Sequence, residues 1–298
     1  MTAQLRLRDR TVTIEPGRPL VMGIVNANPD SFSDDVRTDT LEDQVQRALT
    51  LVADGADLVD VGGESGVTYN AATPAELEIA RVVPLVERLV AEGVLVSVDT
   101  WKAVVARAAV EAGAAMLNDV SGLHDPAIAA AAASSGAALV VMHTRAAPKE
   151  VAFPSYGGDV VGDVEAFLRE RVAQARAQGV ADEQIVLDPG PDFAKTPAQT
   201  VEVLRALPRL RALGRPLLLA ISRKYFLGAI TGRPPAERLA ATLAAAAWAV
   251  DAGAAILRVH DVAAVRDLLA VKAVLDGRAE VPEFDAMDEE LKWIRADR

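Results

Sequence analysis

Short runs of apolar residues, each closed by a polar or charged side chain, recur along the whole chain. Residues 20–25 end in Asn26, 57–59 in Asp60, 94–98 in Asp99 and 115–117 in Asn118. Residues 139–142 end in His143, 185–187 in Asp188, 217–221 in Ser222 and 256–257 in Arg258. The runs do not alternate with polar positions, as expected of strands covered on both faces. Between them lie helix-sized, Ala-rich segments that close at Gly55, Gly93, Gly113, Gly136, Gly179, Gly214 and Gly253. Glycine just past a helix end takes the left-handed conformation that other residues resist. Strand, helix and strand in succession make neighbouring strands parallel. Eight such runs predict a (β/α)8 TIM barrel, an α/β fold whose active site is built at the C-terminal ends of the strands. An open doubly wound sheet shares the repeat, but no G-x-G-x-x-G follows any run.

The flanks fit around that core. Leu5, Leu7, Val12 and Ile14 alternate with polar residues and predict a short hairpin over residues 5–15. The barrel itself is expected over residues 18–277. A C-terminal extension, 278–298, carries Met287, Leu291 and Ile294 at helical spacing and reads as a short exterior brace. The whole chain, 1–298, is then one unit. Three connections are long and rich in turn residues: 26–40, 62–75 and 143–160. Long loops in a compact domain are usually lids or binding loops.

Composition narrows the partners. The 298 residues are 51% hydrophobic and 24% charged, which is a globular balance. No apolar run approaches the ~18 residues of a membrane span, and residues 1–10 carry charge without an apolar centre, unlike a signal peptide. A cytoplasmic protein without membrane partners is expected. The absence of cysteine removes disulfides, thiolate catalysis and Cys-ligated metals. A net charge of −11 disfavours nucleic acid as a partner. It leaves room for a small anion held by a local basic cluster.

The strand ends supply such chemistry. Asp99, Asn118 and Asp188 offer acceptors and donors that suit a planar, nitrogen-rich ring such as a pterin or guanine edge. Each of them alone has the alternative role of capping the next helix. Lys224, Arg258 and His260 place positive charge at the ends of the last two runs, where barrels frequently bind phosphate. For Arg258 the alternative is an internal ion pair with Asp60 or Asp261. Asn26 offers a neutral oxygen for Mg²⁺, which commonly takes few protein ligands together with waters and substrate phosphates. His143 reads as a structural hydrogen-bonding group.

Taken in order, the strings resemble the dihydropteroate synthases. Met22-Gly23-Ile24-Val25-Asn26 with Pro29-Asp30-Ser31-Phe32-Ser33-Asp34 is similar to the first signature of that family. The resemblance continues through Asp60-Val61-Gly62-Gly63-Glu64-Ser65, Ser97-Val98-Asp99-Thr100, Asn118-Asp119-Val120-Ser121-Gly122 and Val141-Met142-His143. It ends with Leu187-Asp188-Pro189-Gly190, Phe193, Lys195, Ser222-Arg223-Lys224 and Arg258-Val259-His260-Asp261. The resemblance implies condensation of 6-hydroxymethyl-7,8-dihydropterin pyrophosphate with p-aminobenzoate. By the same carry-over, Asp99, Asn118, Asp188 and Lys224 hold the pterin, with Met142 and Phe193 lining its pocket. Asp60 and Ser222 join the substrate-binding set. Asn26, Arg258 and His260 hold pyrophosphate with Mg²⁺. Asp99, Lys224, Arg258 and His260 are the expected catalytic residues. A homodimer through the Ala-rich segment 236–252 is also implied.

The loops depart from the family pattern. Gly66 and Val67 stand where the family has Thr-Arg, Ala27-Asn28 replaces Val-Thr, and Asp35-Val36 replaces a Gly pair. Pro191-Asp192 and Tyr225 replace smaller residues. Losing a charge-assisted contact in a closed site costs about 3–4 kcal/mol of transition-state stabilisation. The expectation drawn from this is a divergent second paralogue that binds a dihydropterin with weak or absent synthase activity. The alternative is a fully active synthase in which Thr68 or Arg37 supplies the missing groups. A pterin-dependent methyl transferase on the same barrel fits Ser222-Arg223-Lys224 and the first loop poorly.

Overall fold

The computed structural model describes residues 2–27, 40–64 and 71–281, with residues 283, 287 and 291. Two strands, β1 (Ala3–Leu7) and β2 (Arg10–Ile14), form an antiparallel hairpin. Strands and helices then alternate: β3 (Leu20–Asn26), α1 (Leu41–Ala53), β4 (Leu58–Gly62), α2 (Ala75–Ala91), β5 (Val96–Asp99) and α3 (Ala103–Glu111). Next come β6 (Met116–Asp119), α4 (Ala127–Ser135), β7 (Ala138–Met142), α5 (Val160–Ala177) and β8 (Ile185–Asp188). The chain continues with α6 (Pro197–Arg205), α7 (Leu207–Arg211), β9 (Leu218–Leu219) and α8 (Tyr225–Thr231). It finishes with α9 (Leu239–Asp251), β10 (Ile256–Val259) and α10 (Val262–Leu275).

Strands β3 to β10 form one parallel eight-stranded sheet, with β10 returning to β3. A parallel bridge between Leu187 and Leu217 joins β8 to the start of β9 and completes the barrel. The ladder at β9 is shorter than the apolar run 217–221. The chain turns at Ser222 and Arg223, whose φ is 57°, and the last two apolar residues, Ala220 and Ile221, leave the ladder.

Two apolar layers hold this fold. Val21, Val59, Val98, Leu139, Leu187 and Leu257 face the helices and pack with Val82, Leu85, Val164 and Phe167. Met22, Leu58, Met116, Val140, Val186, Leu218 and Ile256 fill the barrel interior together with Leu5, Leu7 and Ile14 of the hairpin. The hairpin therefore plugs the end of the barrel opposite the strand C-termini. Gly136 is needed for that seat. Its φ is 75°, and a Cβ there would lie 2.6 Å from Arg6 Nη2. Its carbonyl accepts from Arg8 N at 2.9 Å.

Strand geometry sends alternate residues to opposite faces. The interior set begins apolar, at Met22, Leu58, Met116, Val186 and Ile256. Two and four residues further it becomes Asn26, Asp60, Asn118, Asp188, Arg258 and His260. This is why the polar chemistry gathers at one mouth. Among the described residues, no helix is long and apolar enough to cross a membrane. The helix expected near Ile294 lies outside the described residues.

Candidate active site

Arg258 reaches across the mouth and ties two strands together. Its Nε donates to Asp60 Oδ2 at 2.5 Å, and its Nη2 to Asp99 Oδ2 at 3.0 Å. Asn118 Nδ2 donates to the same Asp60 oxygen at 3.0 Å. Asp60 is 0% exposed, so it sets the height of Arg258 and Asn118 from below. Asp60 Oδ1 and Ser97 Oγ, on paired positions of β4 and β5, are buried without a hydrogen-bond partner among the described residues. Arg223 takes the other acidic candidate, Asp261, at 2.8 Å. In this state Arg258 is thus an internal ion pair with Asp60 and Asp99.

On the opposite side, Asp188 Oδ1 accepts from Gly190 N at 2.7 Å. The following loop carries Phe193, and Lys224 Nζ lies 4.3 Å from the centroid of its ring. Ser222 Oγ sits 2.9 Å from His260 Nδ1 and 3.2 Å from His260 N. These elements surround a cavity of about 680 Å³, a volume in the range of small-molecule sites. Asn26, Asp99, Phe193, Ser222, Lys224 and His260 line it. Asp60, Asn118, Met142 and Asp188 are buried strand ends at the base of the same mouth.

Burial dominates the electrostatics. It pushes Asp99 up to about 7, against the pull of Arg258. It also raises Asp188, opposed by the Gly190 N–H and by Lys224. It lowers Lys224, opposed by Asp192, Asp188 and Asp99. Burial works against the Arg258 cation too, yet Asp60 and Asp99 together hold its pKa above the ordinary value. Mutual dependence of this kind is typical of sites that handle charge.

The comparisons agree on one family. A family model described as pterin binding enzyme matches residues 22–260. A dihydropteroate synthase of Mycobacterium leprae is 45% identical over 260 residues, covering 84% of this chain and 91% of that one. One of Synechocystis is 41% identical over 261 residues, covering 87% and 90%. The Xanthomonas albilineans dihydropteroate synthase solved with 4-aminobenzoic acid superposes with a TM-score of 0.85 at 44% identity. It covers 93% of this chain, which covers 99% of it. The chain belongs to the dihydropteroate synthase family. The same Xanthomonas enzyme has been solved in complex with 7,8-dihydropteroate, at a TM-score of 0.81.

In this dihydropteroate synthase family member, the stem of the second loop is charged. Lys102 Nζ bridges Glu64 Oε2 at 2.5 Å and Glu78 Oε2. Trp101 Nε1 donates to Glu64 at 3.1 Å, and Lys149, from the 143–160 connection, pairs with it at 3.3 Å. Thr73 N donates to Glu64 Oε1 at 3.0 Å, clasping the loop across its stem. Sequence reading missed Glu78, Trp101, Lys102 and Lys149. Their only signal was an acidic pair flanking a loop and a lysine just after Asp99. The loop departures at Asn28, Asp35, Val36, Gly66 and Val67, and the substitutes Arg37 and Thr68, lie outside the described residues. His143 faces the helices, as a structural group. Its Nε2 bonds Asp163 at 2.9 Å, and burial holds its pKa down to about 3.

Proposed function

We propose that this chain is a dihydropteroate synthase of folate biosynthesis, joining 6-hydroxymethyl-7,8-dihydropterin pyrophosphate to p-aminobenzoate. The observation that carries this reading is the convergence of Asp99, Asp188, Lys224 and Phe193 on one barrel mouth. It occurs in a chain 44% identical to a synthase solved with 4-aminobenzoic acid. In the reaction the methylene C–O bond of the pterin breaks and its electron pair leaves with pyrophosphate. The aniline nitrogen then forms the new C–N bond and loses a proton. Positive charge develops on the pterin as the bond breaks. In their ionised forms Asp99 and Asp188 would stabilise that cation. Asp99, Asn118 and Asp188 orient the ring edge, and Phe193 covers its face. Arg258 and His260 receive the departing anion, for which Arg258 must release Asp99.

Mg²⁺ would act as a Lewis acid on the pyrophosphate oxygens. The residues present fit it. Asn26 Oδ1 and Asp99 flank Gly62, where a Cβ would fill the space between them, 3.9 Å from that oxygen. Among the described residues, no cluster of three or more His, Cys, Asp or Glu makes a protein-only metal cage. A hydrated ion with Asn26 as a protein ligand suits such a donor set.

The proposal extends to the remaining properties. We read residues 1–298 as one cytoplasmic unit and the assembly as a homodimer. Trp248 of α9 and Val271 and Leu275 of α10, on helices that pack together, are 53%, 60% and 81% exposed, which favours coverage by a second copy. A second reading, pterin binding with weak turnover, rests on Gly66 and Val67. Expression in a bacterium lacking its own dihydropteroate synthase tests the function. Growth without added folate end-products supports it, and failure to grow despite soluble protein contradicts it.

A further inference from the structure

Lys195 is among the largest fully buried side chains of the protein, 1% exposed, in the connection between β8 and α6. Its Nζ donates to His143 Nδ1 at 2.7 Å, to the Gly190 carbonyl at 2.9 Å and to the Phe193 carbonyl at 3.1 Å. With the His143 carbonyl at 3.4 Å as a longer fourth, these acceptors use all three N–H bonds of an ammonium; a neutral amine would leave one of the three short contacts unmet. His143 accepts through Nδ1 because its Nε2–H is committed to Asp163. The ring is also wedged against Phe167, with centroids 4.9 Å apart.

The loop that Lys195 gathers is not at rest in its backbone. Asp192 and Ala194 have φ of 65° and 52°, although neither is glycine. Such residues persist only where their surroundings hold them. The two loop carbonyls on Lys195, at Gly190 and Phe193, bracket Asp192. Tyr156 Oη adds a bond to the Ala194 carbonyl at 2.7 Å. Two features of the cavity depend on this shape. The Phe193 ring lies beside Lys224. Asp192 Oδ2 accepts from Phe226 N at 3.1 Å, at the start of the helix that follows Lys224.

We propose that Lys195 is a positioning residue of the pterin cavity: its buried ammonium fixes the 189–196 loop so that Phe193 stands against the ligand face beside Lys224. The inference rests on reading this cavity as the pterin site. Lys195 acts through the loop, its ammonium being taken up by His143 and the loop carbonyls. Burial lowers its pKa to about 7, with Asp188, Asp163 and Asp192 pulling up and Lys224 pushing down. Arg145, paired with Asp163 at 2.9 Å, completes the charges around it.

A double-mutant cycle tests the proposal with a dihydropterin as probe, measured by calorimetry. Binding to the unsubstituted chain checks the site reading separately. Lys195→Met should weaken binding about tenfold, and by less than about twofold in a Phe193→Ala background, because the two act through one contact. Equal losses in both backgrounds, or no loss in either, would overturn it. A second measurement holds even if Lys195→Met does not fold. In a Lys224→Met chain, which lacks the other ammonium beside the ring, the Phe193 ring NMR signals should shift between about pH 6 and 9 as Lys195 titrates. A ring indifferent to pH across that range would overturn the proposal.

Discussion

Replacing Arg258 by methionine removes the only cation that hydrogen-bonds Asp60 among the described residues, and one of the groups that offset burial at Asp99. Breaking a buried pair by deleting one partner costs about 3–5 kcal/mol. The Arg258 side chain is 18% exposed, which argues for the lower end. A second route gives a similar figure. A stranded carboxylate limits its cost by taking up a proton, at ~1.4 kcal/mol for each pH unit above its unfolded value, which is near 4 kcal/mol at neutrality. For a domain of this size, 3 kcal/mol lowers Tm by about 5 °C. The sign of the pH dependence is the sharper test. A carboxylate left without its cation has a folded pKa above the unfolded one. The stability it contributes is present below the unfolded value and is lost as pH rises through the folded one. Calorimetric unfolding of Arg258→Met and the parent chain should therefore differ most near neutrality and converge towards about pH 4. A Tm difference independent of pH, or one below about 2 °C at neutrality, would refute the buried-pair reasoning.

Other outcomes follow from the same structure. Asp188→Ala should weaken dihydropterin binding about a hundredfold by calorimetry, since a charge-assisted contact to the ring is lost; unchanged affinity would remove Asp188 from the site. Asp99 is raised from 3.8 to about 7, so the stability tied to its protonated form is present below pH 3.8 and lost as pH rises through about 7. Pterin affinity should accordingly increase with pH through that value, and Asp99→Asn should bind weakly with no such dependence. Lys102→Met strands Glu64 and Glu78 and should destabilise the fold by about 3 kcal/mol in thermal unfolding; a neutral effect would show that Lys149 and Trp101 suffice for Glu64. Restoring Thr and Arg at positions 66 and 67 should raise kcat about tenfold, because a contact to the leaving anion acts mainly in the transition state. No gain in that double variant removes the reading of weak turnover.

The barrel was legible because its grammar is local. An apolar run, a helix-sized segment and a glycine repeat in order, and all seven repeat glycines have positive φ. The strand-end candidates were legible for the same reason, since each closes a run. What the runs concealed was parity. A strand covered on both faces carries apolar residues on each, so nothing in the run itself says which terminal residue looks inward. Asn118 and Asp119 are neighbours, yet Asn118 joins Asp60 in the mouth while Asp119 faces the helices and accepts from Ser121 N at 2.8 Å. Counting in twos from Met116 would have separated them. The contacts of the Lys195 cluster and the Lys102 bridge were not legible. Their partners, His143, Asp163, Glu64 and Glu78, come together only through tertiary folding. Arg258 illustrates the limit from the other side. The anion-binding role and the internal pair were both readable in the sequence, and the structure displays the pair.

The most direct test of the synthase proposal is pyrophosphate release by purified protein supplied with dihydropterin pyrophosphate, p-aminobenzoate and Mg²⁺. Turnover of about 1–10 s⁻¹, dependent on p-aminobenzoate and lost in Asp188→Ala, is the predicted result. Tight binding of the dihydropterin with no pyrophosphate released above background would contradict it.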